Sequence, residues 1–182
     1  MQHSVKIDPN SSDIINDWLF IDYHDRINVL VEDPKSNAKE GDIRYLVFKQ
    51  SKYSLEGRES LAIVGGIIEP GESPLSAAKR EVEEEMDGIS CEEQIMLGRY
   101  RTDVNRGIGF VNSFLFRNCK KDGGNTAEDR EKIMNVADEV GKPDAERQDV
   151  ISMTKDEVKE SVKRGEFLEV QWSNSVALAM LH

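Results

Sequence analysis

Gly66–Gly88 reads GIIEPGESPLSAAKREVEEEMDG, and its succession of turn, cap and charge decides how the rest of the chain is interpreted. Pro70-Gly71 marks a turn. Ser73 is a good helix N-cap, and Pro74 falls at the first helical position, where a missing N–H costs nothing. The spacing therefore predicts a helix from Pro74 to a stop at Gly88, with Leu75, Ala78, Val82 and Met86 as its apolar face. Glu81, Glu84 and Glu85 at i, i+3 and i+4 stack three carboxylates on the opposite face. Like charges so placed repel by a few tenths of a kcal/mol per pair, and by more where water is partly excluded. A divalent cation among the oxygens turns that repulsion into attraction, and carboxylate oxygens are preferred donors for Mg2+ or Mn2+. An acidic run alone is more often a solvated face. Here it stands with Gly65-Gly66 after a strand, the Pro-Gly turn, Glu72, a capped helix, and Arg80 beside Glu81.

Outward from this segment the chain reads as an α+β domain. WLFI (18–21), INVLV (27–31), RYLVFKQ (44–50) and LAIV (61–64) are strand-like, as are 95–101, 110–116 and 150–153. The first fourteen residues are polar and read as a loop or tail. Residues 119–149 read as a polar insertion, with Thr126 opening a short helix that carries Ile133, Val136 and Val140. Thr154-Lys155-Asp156-Glu157 is a capping box for a helix burying Val158 and Val162 and ending at Gly165, and Leu178–Leu181 belongs to a terminal helix.

The 182 residues fit one domain, 1–182, able to bury roughly 70% of its unfolded surface, so neither disulfide nor structural metal is needed for folding. Lys and Arg total 24 against 35 Asp and Glu, a net charge of −11 that argues against binding nucleic acid over a large face. Cys91 and Cys119 have no metal-type spacing and read as two separate buried thiols. With no signal-like apolar stretch and no membrane-length run, a cytoplasmic protein without membrane contact is expected.

The Gly66–Gly88 segment resembles the Nudix signature: Gly66, Glu72, Arg80, Glu81, Val82, Glu84 and Glu85 match in register. The family's closing glycine falls on Asp87, with Gly88 one residue late, a one-residue extension downstream of the carboxylates. The resemblance implies an α/β/α sandwich with a mixed central sheet, and a metal held by Glu81 and Glu85 with Glu84 sharing or bridging and the Gly65 carbonyl assisting. It also implies that Arg80 fixes the acidic cluster and Glu72 braces the loop.

Beyond the signature, DWLFIDYHDRINVLV, Glu69-Pro70-Gly71-Glu72 and Asp103-Val104-Asn105-Arg106-Gly107 look like the ADP-ribose and nucleoside-diphosphate-sugar pyrophosphatase branch. That likeness implies Mg2+-dependent hydrolysis of a diphosphate linkage in a small nucleotide, giving a nucleoside monophosphate and a sugar phosphate. Gln50, Lys52 and Arg106 are the expected substrate contacts, and Glu84, Glu146 and Arg80 the catalytic set. Glu146 is the favoured general base, with Asp149 the alternative. Tyr23, Tyr53 and Tyr100 are candidates to stack a base. A homodimer is expected, with WLFI among the N-terminal strands of residues 1–40 contributing to its interface. The alternatives are hydrolysis of another nucleotide (a dinucleoside polyphosphate, NADH or a nucleoside triphosphate) and a non-catalytic nucleotide sensor.

Overall fold

Ile27, Val29 and Val31 alternate with Asn28, Leu30 and Glu32, and all six are buried, so strand β3 (Arg26–Glu32) is covered on both faces. The computed structural model describes residues 2–6, 8–10, 12–37, 39, 41–86, 88–121 and 148–182. Among these, seven strands form one mixed sheet in the order β5 (Glu59–Ala62), β4 (Arg44–Ser51), β3, β8 (Phe110–Lys121), β7 (Ile89–Arg101). β6 (Val64–Ile67) also pairs with β3, and β9 (Gln148–Thr154) with β4. β8 runs parallel to β3, from Arg26↔Val111 to Val31↔Phe116, and the other pairings are antiparallel.

Helix α1 (Pro74–Glu85) begins as expected, with Ser73 Oγ accepting from Ser76 N–H at 3.1 Å. Gly88 takes φ 70° and its N–H donates to Glu83 O at 3.1 Å, closing the helix one residue past the family position. The buried face is Ala77, Ala78, Val82 and Met86, packed on β3, β6 and β7; Leu75, expected in it, is 39% exposed. Leu75 is the second residue of the helix, and the buried residues begin at Ala77. Helix α2 (Lys155–Lys163) carries the full capping box of Thr154 and Glu157, buries Val158 and ends before Gly165 at φ 69°. Val162 is only partly buried. Helix α3 (Val170–Ala179) packs on β3, β7 and β8, its Ser175 hydroxyl 2.7 Å from that of Ser113. Of the segment Leu178–Leu181 expected in a terminal helix, Leu178 and Ala179 are helical and Met180 is the C-cap; the buried stripe is Trp172, Ser175, Val176, Ala179. With β3 buried on both faces and both α1 and α3 seated on it, the sheet is the middle layer of an α+β sandwich.

Several expectations are corrected. Residues 2–6 are a strand, β1 (Gln2–Lys6), hairpinned to β2 (Ile14–Leu19) with Gln2 opposite Leu19. A two-stranded ribbon outside the main sheet needs no apolar alternation, so its sequence looks like loop. Phe20 and Ile21 leave the strand, where Ile21 N–H donates to Arg106 O at 2.8 Å. The run 61–64 breaks at Ile63 into β5 on β4 and β6 on β3. A change of partner leaves no mark on an apolar run. Residues 119–121 and 148–149 belong to β8 and β9; residues 122–147, with the short helix expected there, lie outside the described residues. Cys91 and Cys119 are not separate thiols: they are register partners on β7 and β8 and form a disulfide. Their separation of 28 carries no pairing signal; the strand register does. Among the described residues no helix is long and apolar enough to cross a membrane.

Candidate active site

Arg80 organises the end of α1. Its Nε and Nη2 grip the Glu72 carboxylate as a fork at 3.2 and 3.1 Å, Nη1 meets Glu81 at 2.7 Å and Glu84 at 3.4 Å, and Nη2 also donates to Ile67 O at 3.1 Å. The guanidinium holds Glu72 below the usual carboxylate range, and its own pKa is pushed up in return. Glu72 is itself placed by the turn at Gly71 (φ 85°), where Glu69 N–H donates to its Oε2 at 3.2 Å. The bracing roles expected of Arg80 and Glu72 are thus visible as contacts.

The three carboxylates are not equivalent. Glu81 and Glu85 flank the buried stripe rather than opposing it; the Glu81 side chain is 14% exposed, that of Glu84 57%. Gly66 makes room for Glu81: a β-carbon there would fall inside the Glu81 carboxylate, so no other residue leaves that carboxylate in place. Burial raises the Glu81 pKa against the pull of Arg80. The Glu85 carboxyl is pushed up to about 7, first by burial and then by the Glu81 charge, against the N–H of Gly65 and the charge of Lys52. Gly65 thus offers Glu85 its N–H.

Glu85 lines a cleft together with Arg26, Asn28, Gln50, Lys52 and Gln148, and with Glu169 and Trp172 at the start of α3. β6 sets Gly65 opposite Asn28, so this wall is built by the sheet register. The structure brings the expected contacts Gln50 and Lys52 to this cleft. Arg106 is elsewhere: its guanidinium lies 4.9 Å over the Trp18 ring and donates to Leu19 O at 3.3 Å, fastening the N-terminal hairpin. Tyr23 packs near Arg26 and His24, and Tyr100 hydroxyl donates to Leu97 O; neither lines the cleft. Asp149 is exposed on β9 and does not line it, and Glu146 lies outside the described residues. Sequence reasoning missed Arg26, Asn28, Glu169 and Trp172. The stripe from Trp172 to Ala179 was the available signal for Trp172.

Among the described residues no three acidic side chains stand together to hold an ion, and Arg80 Nη1 bonds both Glu81 and Glu84. The donor set nonetheless fits a hard divalent cation: oxygen ligands only, two of them desolvated and repelling each other.

A family model described as "NUDIX domain" matches residues 22–156. No curated protein matches the chain by sequence. Among solved structures, one described as an ADP compounds hydrolase is similar with a TM-score of 0.61 at 14% identity, covering 86% of this chain and 70% of that one. A MutT from work on Aliivibrio salmonicida and Vibrio cholerae gives 0.47 at 16% identity, covering 76% of this chain and 86% of that one. A MutT/nudix family protein from Enterococcus faecalis also gives 0.47, at 17% identity, covering 74% of this chain and 45% of that one.

Proposed function

Since this chain belongs to the NUDIX domain family, we propose that it hydrolyses the diphosphate linkage of a nucleoside diphosphate compound of the ADP-ribose or ADP-sugar type, with Mg2+ or Mn2+ as cofactor. Nudix hydrolases generally work with divalent metal ions on small-molecule nucleotide substrates. The observation that carries the reading is the partly desolvated Glu81–Glu85 pair: Glu81 is held by Arg80 over Gly66, and Glu85 lines a cleft shared with Arg26 and Lys52. Glu81 and Glu85 would hold the metal, with Glu84 and the Gly65 backbone assisting. When bound, the metal would neutralise the diphosphate and lower the pKa of a water.

Arg26 and Lys52 supply positive charge along the cleft, and Gln50 hydrogen-bonding capacity. Arg80 keeps Glu81 from swinging away. Water adds across the phosphorus–oxygen–phosphorus bridge, giving a nucleoside monophosphate and a sugar phosphate, and its proton passes to Glu146 or Asp149. The description of one similar solved structure, an ADP compounds hydrolase, accords with this reading.

The test is a screen of the purified protein with Mg2+ against ADP-ribose, ADP-glucose, NADH, dinucleoside polyphosphates and nucleoside triphosphates. ADP-ribose or ADP-glucose should be split to AMP and a sugar phosphate, and EDTA should abolish this. Preference for triphosphates, or no turnover of the panel, sinks the reading.

A further inference from the structure

The turn into α3 is tied to the sheet. Leu61 N–H donates to Glu166 O at 2.9 Å, Leu168 N–H to the buried Ser60 Oγ at 3.0 Å, and Ser173 Oγ to Phe167 O at 2.6 Å. These bonds set Glu169 at the N-cap of α3. A polar N-cap side chain ordinarily turns back to accept from the first-turn amides. Glu169 makes no such bond and lines the cleft. Burial raises its pKa despite the charges of Arg26 and Lys52, and among the described residues no hydrogen bond or ion pair to it is formed.

A second unpartnered group lines the same cleft. Asn28 is 3% exposed, and its Nδ2 has no acceptor. Gly65 lets the backbone pass close by, since a β-carbon there would sit 3.1 Å from Asn28 Oδ1. A buried donor without an acceptor is costly, so Asn28 Nδ2, in one cleft with the half-buried Glu169, marks a place where a ligand supplies the complement. Trp172, one turn along α3 from Glu169, adds an aromatic wall. These features suit a neutral moiety that carries a hydrogen-bond donor next to an acceptor and has one apolar face.

We propose that Glu169 is a specificity-determining residue. It accepts a hydrogen bond from a neutral donor, a base amino group or a sugar hydroxyl, on the part of the substrate that extends from the diphosphate past Glu85 into the cleft. Asn28 donates to the adjacent acceptor of that moiety. The assignment rests on the function proposed above. Selection follows from asymmetry: a substrate lacking the donor leaves the carboxylate desolvated and unpaired, which costs more than a lost contact in water.

The test compares wild type, Glu169→Ala and Glu169→Gln as Mg2+-loaded full chains on two matched pairs. One pair is ADP-ribose and its analogue with an unsubstituted purine in place of adenine. The other is ADP-ribose and the butyl ester of ADP, which lacks the terminal sugar hydroxyls. Wild type should favour the donor-bearing member of one pair by about 10–100-fold in kcat/KM, the scale of a hydrogen bond to a charged group. Glu169→Ala should collapse that ratio toward one, mainly through KM. Glu169→Gln, which keeps a carbonyl acceptor, should restore part of it. The pair that collapses identifies the donor as base or sugar.

Equal ratios in wild type and Glu169→Ala overturn the proposal, as does a loss of kcat on every compound together with the limb of the pH–rate profile that a proton-transfer group gives. Hydrolysis by wild type reports separately on the proposed function. Calorimetric titration of the same pairs reads discrimination even where turnover is absent, and a wild type that binds no member of either pair overturns both readings. Melting curves of the two variants confirm folding.

Discussion

Glu85→Gln in the metal-free protein isolates the electrostatics of the site. The Glu85 carboxyl is pushed up from 4.5 to about 7 by burial and by Glu81. For an acid whose folded pKa lies above its unfolded one, the stability contribution is fully present below the unfolded value and is lost as pH rises through the folded value. Stability should therefore fall between about pH 4.5 and 7. At about 1.4 kcal/mol per pH unit, keeping this half-buried carboxylate charged at pH 8 costs about 2–3 kcal/mol. Glutamine fills nearly the same volume without the charge. In EDTA at pH 8, Glu85→Gln should melt higher than wild type by roughly 5–10 °C, using the usual slope for a chain of this size. At pH 5 the gap should shrink to under about 1 kcal/mol.

The assay is thermal and urea unfolding of both proteins in EDTA at the two pH values. The variant's kcat with Mg2+ should be down at least ~10²-fold, as for a lost ligand of a catalytic metal. A Glu85→Gln variant no more stable than wild type at pH 8, or stabilised equally at pH 5, would refute the claim that Glu85 is held desolvated against a like charge.

Gly66→Ala should fold, because Gly66 is not at positive φ and the clash falls on the Glu81 side chain, yet lose at least ~10² in kcat as Glu81 is displaced; wild-type activity would contradict the cradle. Glu146→Gln should cut kcat while leaving Mg2+ affinity nearly unchanged and Asp149→Asn should be mild; the reverse ranking moves the base to Asp149. Reducing Cys91–Cys119 reopens a loop of 28 residues and should lower stability by roughly 3–4 kcal/mol on the chain-entropy estimate, seen as an earlier urea midpoint with dithiothreitol. We also propose a homodimer involving the N-terminal hairpin, whose Ile14 and Leu19 are exposed. Light scattering should then give about twice the 20.6 kDa chain mass at micromolar concentration, and a monomer there removes it.

Local chemistry made part of this protein legible without coordinates. Ser73-Pro74 and Thr154–Glu157 announce their helices because capping is a contest among neighbouring atoms, settled within four residues. The strands 26–32 and 44–51 show in their apolar runs, and the Glu81–Glu85 spacing puts acids on one turn whatever surrounds them. What depends on partners distant in sequence was decided only by the tertiary structure. The break at Ile63, the Cys91–Cys119 bond and the hairpin at residues 2–19 follow from strand register, which one sequence does not encode as a pattern. The same holds within the site. Spacing makes Glu81, Glu84 and Glu85 equivalent, but packing half-buries the first and last and leaves Glu84 in water. Arg106, expected as a substrate contact, lies over Trp18 instead, while Arg26 and Asn28 of β3 meet Glu169, from a stretch far along the chain, in the cleft because α3 packs on β3.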